Sequence, residues 1–222
     1  MTTPAVPLLV EVAGRRVVAV GAGAVAEAKL GPLRDAGAEV VVVAPDAVPG
    51  IKDDAAAGRL TWHRRSYAAG DLAGALLVLA ATADPATNER IAADAAAQQT
   101  LCVRTDHAPD TDHPGTAAFL GAVTRGDLLI AVSTRGRAPA VARYLRAELE
   151  DTYGPEYGEL VALLGDLRRT PQVRNHLDRL DGPRRRAAWR SLPMADILKL
   201  LRNGDPQSAR ELASACLCSS WD

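Results

Sequence analysis

Arg16-Val17-Val18-Ala19-Val20-Gly21-Ala22-Gly23-Ala24-Val25-Ala26 runs without a break from β-favouring residues through two glycines into good helix formers. Residues 25–36 continue as a helix that Gly37 stops. Glu39-Val40-Val41-Val42-Val43-Ala44 is then a continuous apolar run, the pattern of a strand buried on both faces. Strand, helix and strand in so short a span predict a right-handed βαβ unit, and residues 12–46 open an α/β domain.

The alternation continues outward. Leu60–His63 reads as a third strand and Ala75–Ala80 as a buried fourth. Residues 85–98 form an Ala-rich helix, with Asp84 as cap and Pro85 at its first position. Leu101–Thr105 is a fifth strand, and the loop after it closes the first domain, residues 1–115. Beyond it, Phe119–Thr124 and Leu128–Ser133 flank Arg125-Gly126-Asp127 as a hairpin, followed by a helix over 139–151. This makes 116–151 a small separate segment. After the break at Tyr153-Gly154-Pro155, residues 152–222 are helical and rich in Arg.

Composition narrows the class. The chain has 222 residues, 48% hydrophobic and 24% charged, with a formal net charge of −1. That balance is ordinary for a globular protein and gives no reason to expect nucleic-acid binding. Three cysteines, Cys102, Cys216 and Cys218, make no disulfide framework and point to a reducing compartment. No positive charge precedes the apolar start, and no apolar run reaches the roughly 18 residues of a membrane span. A cytoplasmic protein with no membrane or nucleic-acid partner is expected.

The chemistry begins at Gly21-x-Gly23-x-x-Ala26. The first glycine allows the tight turn, and the second lets backbone approach a pyrophosphate at the helix N-terminus. Ala26 keeps helix and strand close. Such a motif alone is weak; its strand–turn–helix–strand setting strengthens it. The second strand ends in Ala44-Pro45-Asp46, with the carboxylate a little later than the dinucleotide fingerprint places it. Asp46 reads either as the acid for the ribose or as a turn cap. No basic residue follows that strand before Lys52, which favours NAD over a 2′-phosphorylated cofactor. Asp106 stands at the carboxyl end of the fifth strand, where open α/β sheets bind ligands. Enclosure there would raise its pKa and suit it to act as a base.

Other features read less sharply. His107, Asp110, Asp112 and His113 match no standard zinc spacing and are expected to be solvated, so no metal site is assigned. Cys216-x-Cys218 reads as two thiols in a frayed tail. Between Arg168 and Arg190 stand eight arginines against two acids, Asp178 and Asp181. The stretch reads as either a solvated face or an attraction for a polycarboxylate. Arg135 and Arg137 precede the helix start at Pro139, where free backbone N–H groups also favour an anion.

Taken in order, several segments resemble the precorrin-2 dehydrogenase/sirohydrochlorin ferrochelatase family, found alone or as the N-terminal module of siroheme synthases. They are Pro7-Leu8-Leu9, Val20–Lys29, Leu33-x-x-Ala36-Gly37-Ala38, Val43-Ala44-Pro45, Ala80-Ala81-Thr82-x-Asp84-x-x-x-Asn88, Cys102-x-x-x-Asp106, Arg125–Pro139 and Ala142–Arg146. The resemblance covers roughly residues 5–150. It implies a Rossmann-type parallel sheet domain, a small dimerisation segment and a helical C-terminal domain, assembled as a homodimer.

The resemblance also implies NAD-dependent oxidation of precorrin-2 to sirohydrochlorin. In many members Fe²⁺ insertion follows, with the metal as substrate. Asp106 falls on the family's key aspartate. Ala24, Val25, Pro45 and Asp46 fall on cofactor-contact positions, with Gly21, Gly23 and Thr82 counted beside them. Ser133, Thr134, Arg135 and Arg137 are expected to bind the tetrapyrrole, whose eight carboxylates would suit the arginines. Thr134, Ala138 and Gly121-Ala122 depart from common family residues, and the 106–115 loop is longer than usual. Two alternatives therefore stand beside the leading one: a dehydrogenase without chelatase activity, and a non-catalytic NAD- or tetrapyrrole-binding protein.

Overall fold

The computed structural model describes residues 5–106 and 115–219 and divides into two compact units, Met1–Phe119 and Leu120–Asp222. In the first unit β1 (Arg16–Val20), α1 (Ala24–Asp35), β2 (Glu39–Val43), α2 (Pro49–Ala56), β3 (Thr61–His63), β4 (Leu77–Ala80), α3 (Pro85–Ala97) and β5 (Leu101–Arg104) follow in order. The strands form one sheet in the order β3-β2-β1-β4-β5, every pairing parallel. Val17 sits opposite Val40 on one side and Leu77 on the other.

Both faces of this sheet are covered, which is why its strands read as unbroken apolar runs. Val17, Ala19, Val40, Val42 and Leu79 pack with Ala26, Leu30 and Leu33 of α1 and Ile51 of α2. Their alternates Val18, Val20, Val41, Val43 and Val78 pack with Ile91, Ala92 and Ala95 of α3, and with Tyr67 and Leu72. Each buried Val, Leu or Ile among them contributes about 1.5–3 kcal/mol. Asp84 caps α3 as expected, accepting from the Ala86 and Thr87 amides at 3.2 and 3.0 Å. The sequence reading passed over α2. Pro49-Gly50 has the look of a turn, yet proline is well suited to a first helical position.

Among its described residues the second unit holds an antiparallel hairpin, β6 (Gly121–Arg125) and β7 (Leu128–Val132), and six helices: α4 (Pro139–Thr152), α5 (Pro155–Arg169), α6 (Pro171–Leu177), α7 (Gly182–Arg190), α8 (Met194–Arg202) and α9 (Pro206–Cys218). Leu163, Leu167, Val173, Leu177, Ile197, Leu201, Ala213 and Leu217 form its core. Hairpin and helices are joined tightly. Arg125 donates to the Tyr153 and Glu150 carbonyls at 2.9 and 3.1 Å, at the end of α4. A β-carbon on Gly158 of α5 would lie 2.5 Å from the Arg125 carbonyl oxygen, so only glycine permits this approach. Cys216 and Cys218 are not in a frayed tail. They belong to α9 and pack, partly buried, against the helical core. Among the described residues no helix is long and apolar enough to cross a membrane.

Candidate functional site

The carboxyl edge of the parallel sheet gathers the residues expected in the first unit. Gly21–Gly23 follow β1, Pro45 and Asp46 follow β2, Thr82 follows β4 and Asp106 follows β5. The strand order reverses between β1 and β4, the position where open α/β sheets form a ligand crevice. Backbone bonds stitch this edge together: Gly21 N to Val43 O at 3.0 Å, Val48 N to Ala22 O at 3.0 Å and Thr105 N to Ala80 O at 3.1 Å.

The two glycines differ in role. Gly21 has φ +100°, and a β-carbon there would fall 2.2 Å from the Ala81 carbonyl oxygen. Gly23 is the N-cap of α1 at an ordinary φ of −85°, with no side chain capping the helix. A β-carbon on Gly23 would meet nothing within 4 Å. Ala24 and Val25 beside it are exposed. The start of α1 is thus an open, positively polarised helix end that fits a pyrophosphate. Asp46 is also exposed, and its carboxylate pairs with Lys52 Nζ of α2 at 2.9 Å. Lys52 and the Ala47 amide hold its pKa below the usual carboxylate value.

Asp106 sits in a largely buried polar network. Its oxygens accept from Arg104 Nε at 3.0 Å, Arg104 Nη2 at 2.8 Å and Asn88 Nδ2 at 3.1 Å. Asn88, fully buried on α3, accepts in turn from Thr82 N at 3.1 Å and Thr82 Oγ1 at 2.8 Å. Arg104 also pairs with Glu89 of α3. The raised pKa expected for Asp106 is overturned. Arg104 outweighs burial and, with Asn88, pulls the carboxyl below its ordinary value. The thiol of Cys102, with no such cation bonded to it, is pushed up by burial to about 11.

In the second unit, residues 133–137 link β7 to α4. Ser133 Oγ accepts from Arg135 N at 3.1 Å, and Thr134 Oγ1 accepts from Ala138 N at 3.3 Å, steadying the helix start. Arg135 takes a left-handed φ of +53°, and both Arg135 and Arg137 are exposed beside that start. The arginine-rich stretch is partly structural. Arg168 stacks on Trp189 at 5.5 Å, Arg185 Nε donates to the Leu177 carbonyl at 3.0 Å, and Arg169 pairs with Asp166 at 2.6 Å.

His107, Asp110, Asp112 and His113 lie outside the described residues. Among the described residues no cluster of His, Cys, Asp and Glu is able to hold a metal. Sequence reasoning gave no role to Asn88, Glu89 or Arg104. A charged Arg inside the apolar run of β5 was the available signal for the last of these.

Comparison with known proteins agrees with this layout. Residues 8–114 match the family model described as putative NAD(P)-binding, and residues 125–152 match that of the sirohaem biosynthesis protein central segment. Siroheme synthase of Pseudomonas putida (strain W619) is 37% identical over 209 residues, which are 94% of this chain and 43% of that protein. Siroheme synthase of Azotobacter vinelandii is 35% identical over 214 residues, 96% of this chain and 44% of that protein. The chain therefore spans less than half the length of these curated relatives. The solved structure described as SirC, precorrin-2 dehydrogenase, shares the fold at TM-score 0.65 and 21% identity, covering 96% of this chain and 98% of that one. Residues 8–114 and 125–152 thus carry, in order, a putative NAD(P)-binding segment and a sirohaem biosynthesis central segment, and the chain is similar over nearly its whole length to part of the siroheme synthases.

Proposed function

We propose that this protein is an NAD-dependent precorrin-2 dehydrogenase that forms sirohydrochlorin. The observation that carries the reading is the shared sheet edge, where the open α1 N-terminus stands at the end of β1 and Asp106 at the end of β5, with β4 between them. The names of its relatives, siroheme synthase and precorrin-2 dehydrogenase, supply the substrate. In this reading the amides at the start of α1 hold the pyrophosphate, Gly23 gives it room, and Asp46 accepts from a ribose hydroxyl. NAD⁺, when bound, supplies the hydride acceptor.

Precorrin-2 must lose a hydride and a proton. Asp106 meets it already ionised, so it is a weak proton acceptor and a strong fixed anion. Its first role is to steady the positive charge the macrocycle gains as hydride departs. Proton loss follows, to Asp106 or to solvent. Ser133, Thr134, Arg135 and Arg137 bind the substrate, the arginines its carboxylates. Fe²⁺ enters as the substrate of a second reaction, in which the same carboxylate assists removal of pyrrole protons.

The working form in this proposal is a cytoplasmic homodimer. Three free cysteines support a reducing compartment. Leu129 of β7 and Val141, Tyr144 and Leu145 of α4 are 50%, 48%, 62% and 38% exposed, an apolar surface that suits a second copy. The test mixes purified protein with precorrin-2 and NAD⁺ and follows NADH absorbance; Fe²⁺ or Co²⁺ is then added to preformed sirohydrochlorin. NADH formation is expected. Its absence, with ligand still bound, would leave the non-catalytic reading. Oxidation without metal insertion above the uncatalysed rate would leave the dehydrogenase alone.

A further inference from the structure

We propose that Arg104 is a positioning residue for Asp106, a guanidinium clamped between two carboxylates that fixes the orientation and charge of the aspartate. The inference rests on the reading that Asp106 faces the reacting atoms. Arg104 belongs to β5, whose other residues Leu101, Cys102 and Val103 are apolar. Its side chain is only 2% exposed. A cation buried this far is costly unless paired and hydrogen-bonded. Here it is paired at both ends. Nε and Nη2 meet the two oxygens of Asp106 side by side at 3.0 and 2.8 Å, and Nη1 meets Glu89.

A two-point fork fixes the plane of a carboxylate as well as its distance. Glu89, anchored on α3, holds the far end of the guanidinium and keeps it from swinging out. Asn88, one residue earlier on the same helix, adds a third bond to Asp106 at 3.1 Å. Among the described residues the groups facing Asp106 are Arg104 from β5 and Asn88 from α3, with Glu89 behind Arg104 and the buried Cys102 thiol further down the strand. Only Arg104 among them carries positive charge. Without it, burial and the Glu89 charge would both favour the protonated acid, and the aspartate would lose its fixed plane and hold its proton more tightly than an ordinary aspartate.

The experiment follows Asp106 directly in the full chain by carbon-13 NMR of labelled aspartate carboxyls, with Asp106→Asn to assign the resonance. The wild-type midpoint is expected below that of ordinary aspartates. Arg104→Gln, which keeps hydrogen-bonding capacity but no charge, should move it above them; Arg104→Lys should lie between. In the NADH assay Arg104→Gln should lower kcat by on the order of 10-fold or more while KM for NAD⁺ holds, and Arg104→Lys should recover part of it. The kcat–pH profile of the Gln variant should gain an acid limb at the raised midpoint.

An Asp106 resonance that titrates alike in wild type and Arg104→Gln would overturn the proposal, as would unchanged kcat and pH profile. Should Arg104→Gln not fold, Arg104→Lys decides: it keeps the charge without the two-point fork, so the midpoint should rise above wild type and kcat should fall, and a midpoint and kcat equal to wild type would overturn the clamp. A midpoint that shifts as expected in a protein that never oxidises precorrin-2 sinks the functional reading and leaves the clamp standing.

Discussion

A β-carbon at Gly21 would land 2.2 Å from the Ala81 carbonyl oxygen at a φ of +100°, whereas one at Gly23 would meet open space. The two glycines should therefore fail differently. Gly21→Val combines a left-handed strain with a backbone clash and should cost at least about 2 kcal/mol, seen as a lower Tm. Gly23→Asp should leave Tm unchanged or raise it, since aspartate is a good N-cap, and should abolish NAD binding by placing a carboxylate where the pyrophosphate belongs. Calorimetric titration together with thermal melts checks both. A Gly23→Asp variant that binds NAD normally would remove the cofactor assignment at α1. The glycine motif and the different tasks expected of its two glycines were legible in the sequence; that Gly21 packs against the Ala81 carbonyl was not. Asp106 gave a similar lesson. Its place after β5 was readable, but the sign of its pKa shift came from Arg104, two residues away along a strand whose side-chain directions only the folded backbone defines.

At the scale of elements, strands and helices with strong local signals stood out before folding was considered. β2, with four valines in a row, and α3, with its Asp84-Pro85 start, needed no tertiary context. α2 did, because Pro49-Gly50 resembles a turn until β2 and β3 must be joined in parallel. The amphipathic α4 buries none of its residues within the chain, and with β7 it leaves Leu129, Val141 and Tyr144 exposed. In the proposed dimer that surface is covered. Tyr144→Asp combined with Leu129→Lys should therefore shift sedimentation from dimer to monomer while the far-ultraviolet circular dichroism stays unchanged. A dimer that persists at micromolar concentration would direct the search to another surface.

For the molecule as a whole, acid should be the vulnerable side. Asp54, Asp71 and Asp106 all lie in the first unit, with side chains 16%, 9% and 16% exposed, and each is held below its ordinary pKa by an arginine. A carboxyl depressed on folding adds stability that is present above its unfolded pKa of roughly 3.9 and is lost as pH falls through the folded value. Tm should thus hold from neutral pH down to about 4 and drop below it; a Tm that rises on acidification would contradict these pairings. The sequence by itself determined the parallel α/β unit, its open helix start and the helical second part, because buried parallel strands and capped helices write local, periodic patterns. Tertiary structure alone decided that Asn88, Glu89, Arg104 and Asp106 form one network. Side chains from α3 and β5 meet only when the helix folds back over the sheet, and that meeting decides the charge of the aspartate at the strand end.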